Sequence, residues 1–183
     1  TCAFTLMARL TNATVGGGMI LDRNLAQRFG DHGDDEPASD RLQKELSKVS
    51  SEERAARFGQ RPATVLLTGL TGAGKTTIAY ALERQLFDAG RAATVLDGQN
   101  MRLGISKDLG FTASERRENL RRSSEVARLI NDAGLICTAA FVAPEEIVRQ
   151  RAAEVVGRDK FPAVHLPAPP DVCRHTDPQA ATY

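Results

Sequence analysis

The chain has 183 residues, of which 42% are apolar and 26% charged, a globular balance that excludes wholesale disorder and a fibrous repeat. Its 24 basic and 23 acidic residues leave a net charge of +1, so no global basic field exists to hold nucleic acid or an anionic membrane. The longest apolar runs, 63–67 and 135–142, fall far short of the roughly 18 residues of a spanning helix.

No secretory signal opens the chain. Cys2, Cys137 and Cys173 are odd in number and widely spaced, which fits a reducing cytosol and no disulfide framework. The expectation is a soluble, cytoplasmic protein. The first residue is Thr, not Met, which suggests a piece of a longer polypeptide.

Residues 1–22 read as two short strands, 3–8 and 14–21, turned by 10–13. Gly16, Gly17 and Gly18 weaken the second strand or put a bulge in it. A lone hairpin is marginal in water, so this remnant belongs with a larger sheet. Residues 23–61 read as a linker with an acidic stretch at 31–36 and helical pieces at 39–48 and 51–58. Ser50 and Glu53 are spaced as a capping box for the second piece.

From Pro62 to residue 183 strands and helices alternate. Strands are predicted at 63–68, 92–96, 135–142 and 161–166, and helices at 76–89, 112–133 and 144–156. Gly90, Gly134 and Gly157 stop those helices in turn. The strands are continuously apolar, so the reading is α/β, a parallel sheet covered by helices on both faces. Residues 167–183 begin another crossover.

Gly69-Leu-Thr-Gly-Ala-Gly-Lys-Thr76 fits G-x-x-x-x-G-K-[ST] at every fixed position, between a strand and a helix. Its glycines let the backbone wrap phosphate closely, and the following helix aims its positive end at the same point. The motif assigns Gly69, Thr71, Gly72, Ala73, Gly74, Lys75, Thr76 and Thr77 to ATP phosphate binding. Lys75 then reaches the β- and γ-phosphates, and the Thr76 hydroxyl ligates Mg²⁺. No guanine-reading Asn-Lys-x-Asp element follows, and the remaining length suits a small-molecule kinase.

Asp97 ends the second strand of this region, at the sheet edge where open α/β folds bind ligands. It either takes an acceptor hydroxyl proton or holds a metal-bound water, unless it merely ends a turn. Arg102, Arg116, Arg117, Arg121 and Arg122 are either a solvated face paired with nearby glutamates or a fork for a second anionic substrate. Phe111 is either a staple before the helix or an aromatic plate for a base.

With these residues in place the chain resembles the adenylyl-sulfate kinase family over about 62–178. The resemblance runs through the phosphate loop, Leu96-Asp-Gly-Gln-Asn-Met-Arg102, Asp108-Leu-Gly-Phe111, Arg116-Arg-Glu-Asn-Leu-Arg-Arg122, Asp132-Ala-Gly-Leu-Ile136 and Phe141-Val-Ala-Pro144. It implies transfer of the γ-phosphoryl of MgATP to the ribose 3′-hydroxyl of adenylyl sulfate, in sulfate assimilation. On the matched positions, Lys75 and Asp97 serve catalysis, and Thr76 and Asp97 form the metal shell. Arg102, Arg116, Asn119, Val142 and Ala143 hold adenylyl sulfate, and Phe111 stacks on its adenine.

Residues 4–20 are similar to the closing strands of the elongation-factor-like barrel in the GTPase subunit of sulfate adenylyltransferase. That implies a bifunctional polypeptide carrying this GTPase, with its catalytic subunit as a partner. Members of the kinase family often dimerise.

Some positions depart from the family pattern. Gln99 stands where the family has Asp, so Asp97 acts alone or activity falls. Ala143 replaces the family serine, which excludes a phosphoserine and leaves direct in-line transfer. Thr176 and Gln179 replace a basic pair, and the family's lid, last strand and second aromatic are expected beyond Tyr183. Without that last strand, the sheet edge is expected to be exposed. The departures leave a catalytically impaired nucleotide-binding module, or another small-molecule kinase, as alternatives.

Overall fold

The computed structural model describes residues 2–7, 14–20 and 45–176. The expected turn at 10–13, most of the linker, and Gln179 lie outside the described residues. The chain divides into two units, Thr1–Asp40 and Arg41–Tyr183. In the first, β1 (Cys2–Met7) pairs antiparallel with β2 (Thr14–Ile20). Leu6 faces Gly16 and Met7 faces Thr14, so the pairing skips Val15 and the expected irregularity falls in the second strand.

The second unit begins its regular structure with α1 (Ser51–Phe58), started by the Ser50–Glu53 capping box and ended by Gly59. The helix expected at 39–48 is not formed where it can be followed. Residues 45–48 are non-helical and exposed, and Leu46 buries its side chain against nothing that would hold a helix there.

Gln60 joins α1 to the sheet. Its Nε2 donates to Ala92 O at 2.9 Å and Gly134 O at 2.8 Å, and its Oε1 accepts from Ala92 N at 2.8 Å. These bonds tie the end of α1 to the leading ends of two strands, so Gln60 is buried although polar. Gln60→Ala removes the Gln60 partner of Ala92 N and Gly134 O, while Ala92 O keeps its bond from Ile136 N. The expected result is a loss of about 2–3 kcal/mol in urea unfolding of this unit, with the cleft chemistry unchanged.

Four parallel strands make the sheet: β3 (Thr64–Thr68), β4 (Ala93–Asp97), β5 (Ile136–Ala140) and β6 (Ala163–His165), in the spatial order β4-β5-β3-β6. The helices between them are α2 (Lys75–Asp88), α3 (Ala113–Asp132) and α4 (Glu146–Val156), and α5 (Pro170–Thr176) follows the last strand. Alternate residues of β3 serve opposite faces, as strand geometry requires. Leu66 joins Leu120, Ala127, Ala152 and Val156 of α3 and α4, whereas Leu67 joins Ala79 of α2. Helices therefore cover both faces, which is the expected architecture.

The first strand starts one residue late and the third shortens from 135–142 to Ile136–Ala140, and two others also differ from expectation. The second strand of the sheet runs one residue later, so Asp97 is its last residue. The fourth shrinks from 161–166 to three residues, all exposed, because it pairs on one side only, with β3. A 3₁₀ turn at Asn100–Leu103, absent from the sequence reading, follows β4.

Candidate active site

The carboxyl ends of β3, β4 and β5 open into a cleft of about 570 Å³. Most of the candidate residues meet there. Thr71, Gly72, Gly74, Lys75, Thr76 and Thr77 line one side, and Asp97 the floor. Arg102, Phe111, Arg116 and Asn119 line the other side, and Val142 and Ala143 lie between. Gly69 and Ala73 shape the loop without lining the cleft.

Two glycines of the loop are required by close approach. A Cβ on Gly69 would meet Leu166 O at 2.7 Å, and one on Gly72 would meet Cys173 O at 2.4 Å. Both also have positive φ. Gly74 caps α2 without a side chain, so the first N–H groups of that helix are left for a ligand.

Lys75 is the first residue of α2 and is only 8% exposed. Its Nζ donates to Gly69 O at 3.0 Å and Leu70 O at 2.7 Å. Burial pulls the ammonium below its ordinary pKa, opposed by the nearby Cys173 and Asp97.

Asp97 is buried and fully engaged. Its Oδ2 accepts from Thr76 Oγ1 at 2.7 Å, while Oδ1 accepts from the amides of Gln99 and Asn100 at 2.9 and 3.1 Å. The carboxylate thus starts the 3₁₀ turn on one side and orients the Thr76 hydroxyl on the other.

Phe111 is half-exposed under the Arg102 guanidinium, 4.6 Å from ring centroid to Cζ, so the core-staple alternative is out. Arg102 Nη1 donates to Gly98 O at 2.7 Å and Nε to Gly110 O at 2.9 Å, which fixes the plate. Asn119 is 1% exposed, and its Nδ2 donates to Gly98 O at 2.9 Å. Its Oδ1 accepts no hydrogen bond from the described residues, an unsatisfied acceptor beside the cleft that a ligand donor would relieve.

The arginine cluster separates into two groups. Arg116 and Arg117 line the cleft, but Arg121 and Arg122 do not. Both bond the buried Glu118, and Arg122 also grips Asp108 with two bonds and Ile105 O with a third. Arg122 pins the 104–110 loop to α3 and Arg121 pairs with Glu118 on its own helix, so for these two the paired face holds rather than the substrate fork. Burial pushes the Glu118 carboxyl up, but the bonds from Arg121 and Arg122 outweigh it and hold the pKa below its ordinary 4.5. That stabilisation is complete above pH 4.5 and is lost as the pH falls through the depressed value. Wild type should therefore lose stability as the pH falls below 4.5, and Glu118→Gln should flatten the stability curve in that range.

Sequence reasoning missed four contributors. Arg117 Nε pairs with Glu145 Oε1 at 3.0 Å across the rim. The Gly98 carbonyl accepts from both Arg102 and Asn119. Thr68 and Arg149 bond the carbonyls of 142–144. Only Arg149 had a local signal, as a cation in the opening turn of a helix.

With this geometry in hand, comparison with known proteins is specific. The adenylylsulphate kinase family model matches residues 61–183. A bifunctional enzyme of Rhodopirellula baltica, named CysN/CysC, is 56% identical over 97% of this chain. This chain spans only 27% of that relative's length. An adenylyl-sulfate kinase of Shewanella pealeana is 47% identical over 72% of this chain and 64% of its own. Among solved structures, the Mycobacterium tuberculosis APS kinase CysC in complex with AMPPNP and APS has 39% identity and a TM-score of 0.62. That match covers 66% of this chain and 71% of the other.

Proposed function

The chain belongs to the adenylylsulphate kinase family, and from that premise we propose that it phosphorylates the ribose 3′-hydroxyl of adenylyl sulfate with ATP, giving 3′-phosphoadenylyl sulfate for sulfate assimilation. The observation that carries this reading is one cleft in which a phosphate loop faces an aromatic plate and an unsatisfied buried acceptor across a carboxylate.

ATP lays its phosphates on the open N-terminus of α2, where Lys75 exchanges the carbonyls of Gly69 and Leu70 for phosphate oxygens. Adenylyl sulfate takes the other half, with its adenine on Phe111 and a donor on Asn119 Oδ1. Arg102, Arg116 and the segment at Val142 and Ala143 complete its seat. Asp97 lies between the two halves. Its three accepted bonds favour an electrostatic and metal-orienting part over proton abstraction.

The hard oxygen donors Thr76 Oγ1 and Asp97 suit Mg²⁺, which prefers one or two protein oxygens plus phosphates to an all-protein cage. Among the described residues no cluster of three or more His, Cys, Asp or Glu forms such a cage. When bound there, Mg²⁺ would neutralise charge on the transferred phosphoryl group. Ala143 has no hydroxyl to carry a phosphoryl group, so transfer is direct and in line.

The polypeptide also carries the GTPase of sulfate adenylyltransferase and meets that enzyme's catalytic subunit, with self-association through the kinase unit. It works in the cytoplasm. No helix among the described residues is long and apolar enough to cross a membrane.

The test is a coupled assay of the full-length protein. ADP release that depends on adenylyl sulfate, and not on other small alcohols, supports the proposal. ATP binding without any transfer supports the impaired module suggested by Gln99, and restoring activity with Gln99→Asp would identify the cause.

A further inference from the structure

The segment 142–144 leaves β5, lines the cleft, and is held from outside it. Val142 O accepts from Thr68 Oγ1 at 2.6 Å. Ala143 O and Pro144 O each accept from Arg149 Nη1 at 2.7 Å. Neither Thr68 nor Arg149 lines the cleft. Three successive carbonyl oxygens are thus bonded to protein donors rather than offered to an anion in the cleft.

Two locally unfavourable choices support that arrangement. Ala143 has φ 36°, a left-handed backbone that an L residue rarely adopts. Arg149 is the fourth residue of α4, where the helix dipole disfavours a cation, and Glu145 gives the helix no side-chain cap. Strain and misplaced charge meet at one pair of hydrogen bonds, the pattern expected where local stability yields to a site.

We propose that Arg149 is a positioning residue for the anionic acceptor: it holds the carbonyls of Ala143 and Pro144 away from the cleft and fixes the left-handed turn that adenylyl sulfate packs against. This rests on the reading that adenylyl sulfate occupies that half of the cleft. Freeing Pro144 O, and leaving Ala143 O only its 3.3 Å bond from Thr68 Oγ1, puts partial negative charge beside a phosphosulfate, which weakens ground state and transition state alike. The loss therefore falls on KM more than on kcat.

Steady-state kinetics of the full-length enzyme test it. Arg149→Gln should raise KM for adenylyl sulfate about tenfold, with kcat and KM for ATP changed less than about threefold. Arg149→Lys, able to reach one carbonyl, should fall between. Ala143→Gly in the Arg149→Gln background should recover part of the loss, because glycine holds positive φ without a clamp. An unchanged KM, equal rises for both nucleotides, a fall in kcat alone, or no rescue by glycine would each overturn it.

Hydrogen exchange reads the clamp without turnover. In Arg149→Gln the amides of Gly69 and residue 149, which donate to Val142 O and Glu145 O, should exchange faster while Ala92 keeps its protection. Unaltered exchange at both overturns the proposal, whether or not the parent phosphorylates adenylyl sulfate. If Arg149→Gln does not fold, Arg149→Lys carries both measurements with the same directions.

Discussion

Lys75→Met is expected to lower kcat/KM by at least about 10³-fold, some 4 kcal/mol of transition-state stabilisation, while the protein still folds. The reason is the division of labour in the phosphate loop. Backbone amides and the α2 terminus position phosphate, but within the loop only the lysine adds a full positive charge, on a side chain that is largely buried. Methionine keeps the buried stem and loses the charge and its bonds to Gly69 O and Leu70 O.

The same substitution has a signature in stability. Burial places the folded-state pKa of Lys75 below its ordinary 10.5, so the folded protein disfavours the charged form. The cost is fully present below the depressed value and fades as the pH rises toward 10.5. Wild type should therefore gain stability across that window relative to Lys75→Met, whose curve lacks the rise. Thermal melts at a series of pH values, beside the activity assay, check both halves.

Asp97→Asn should be nearly as damaging to turnover, about 10²- to 10³-fold, with little loss of stability. In the parent, one carboxylate oxygen accepts from two backbone amides and the other from Thr76. Asparagine can keep its oxygen on the amides and turn its NH₂ toward Thr76 Oγ1, whose hydroxyl rotates to accept. The 3₁₀ turn survives, and only the charge is lost. Asp97→Ala would remove the turn's cap as well, so it should cost both activity and melting temperature. Comparing the two separates the electrostatic part of Asp97 from its structural one.

The features legible in the sequence were those with local grammar. The phosphate loop is a contiguous motif, and the β-branched runs and glycine stops gave four strands and three helices in the right order. Thr112 and Glu115 form the capping box that starts α3, one residue into the expected span. The misses needed partners distant in sequence. The shortening of β6 reflects a sheet edge, which no residue of 161–166 encodes. The retirement of Arg121 and Arg122 from the cleft depends on Glu118 and on Asp108 across a loop.

Helical phase alone did not separate those arginines from Arg116 and Arg117. Which face met the cleft was decided by how α3 packs on the sheet. Arg149 carried a local signal, a cation in a helix's opening turn, but not its purpose: two carbonyls five and six residues back, held in a turn whose positive φ no composition announces. Gln60 likewise reads as the end of a linker until the strands it bridges, at Ala92 and Gly134, are brought beside it.

Phosphorus NMR of the full-length protein incubated with ATP, Mg²⁺ and adenylyl sulfate addresses the whole account at once. It should show ADP accumulating in step with a new phosphomonoester coupled to the ribose 3′ proton, the phosphosulfate left intact. ATP that stays unconsumed in the presence of adenylyl sulfate, or a phosphoryl group arriving at any other oxygen, would contradict it.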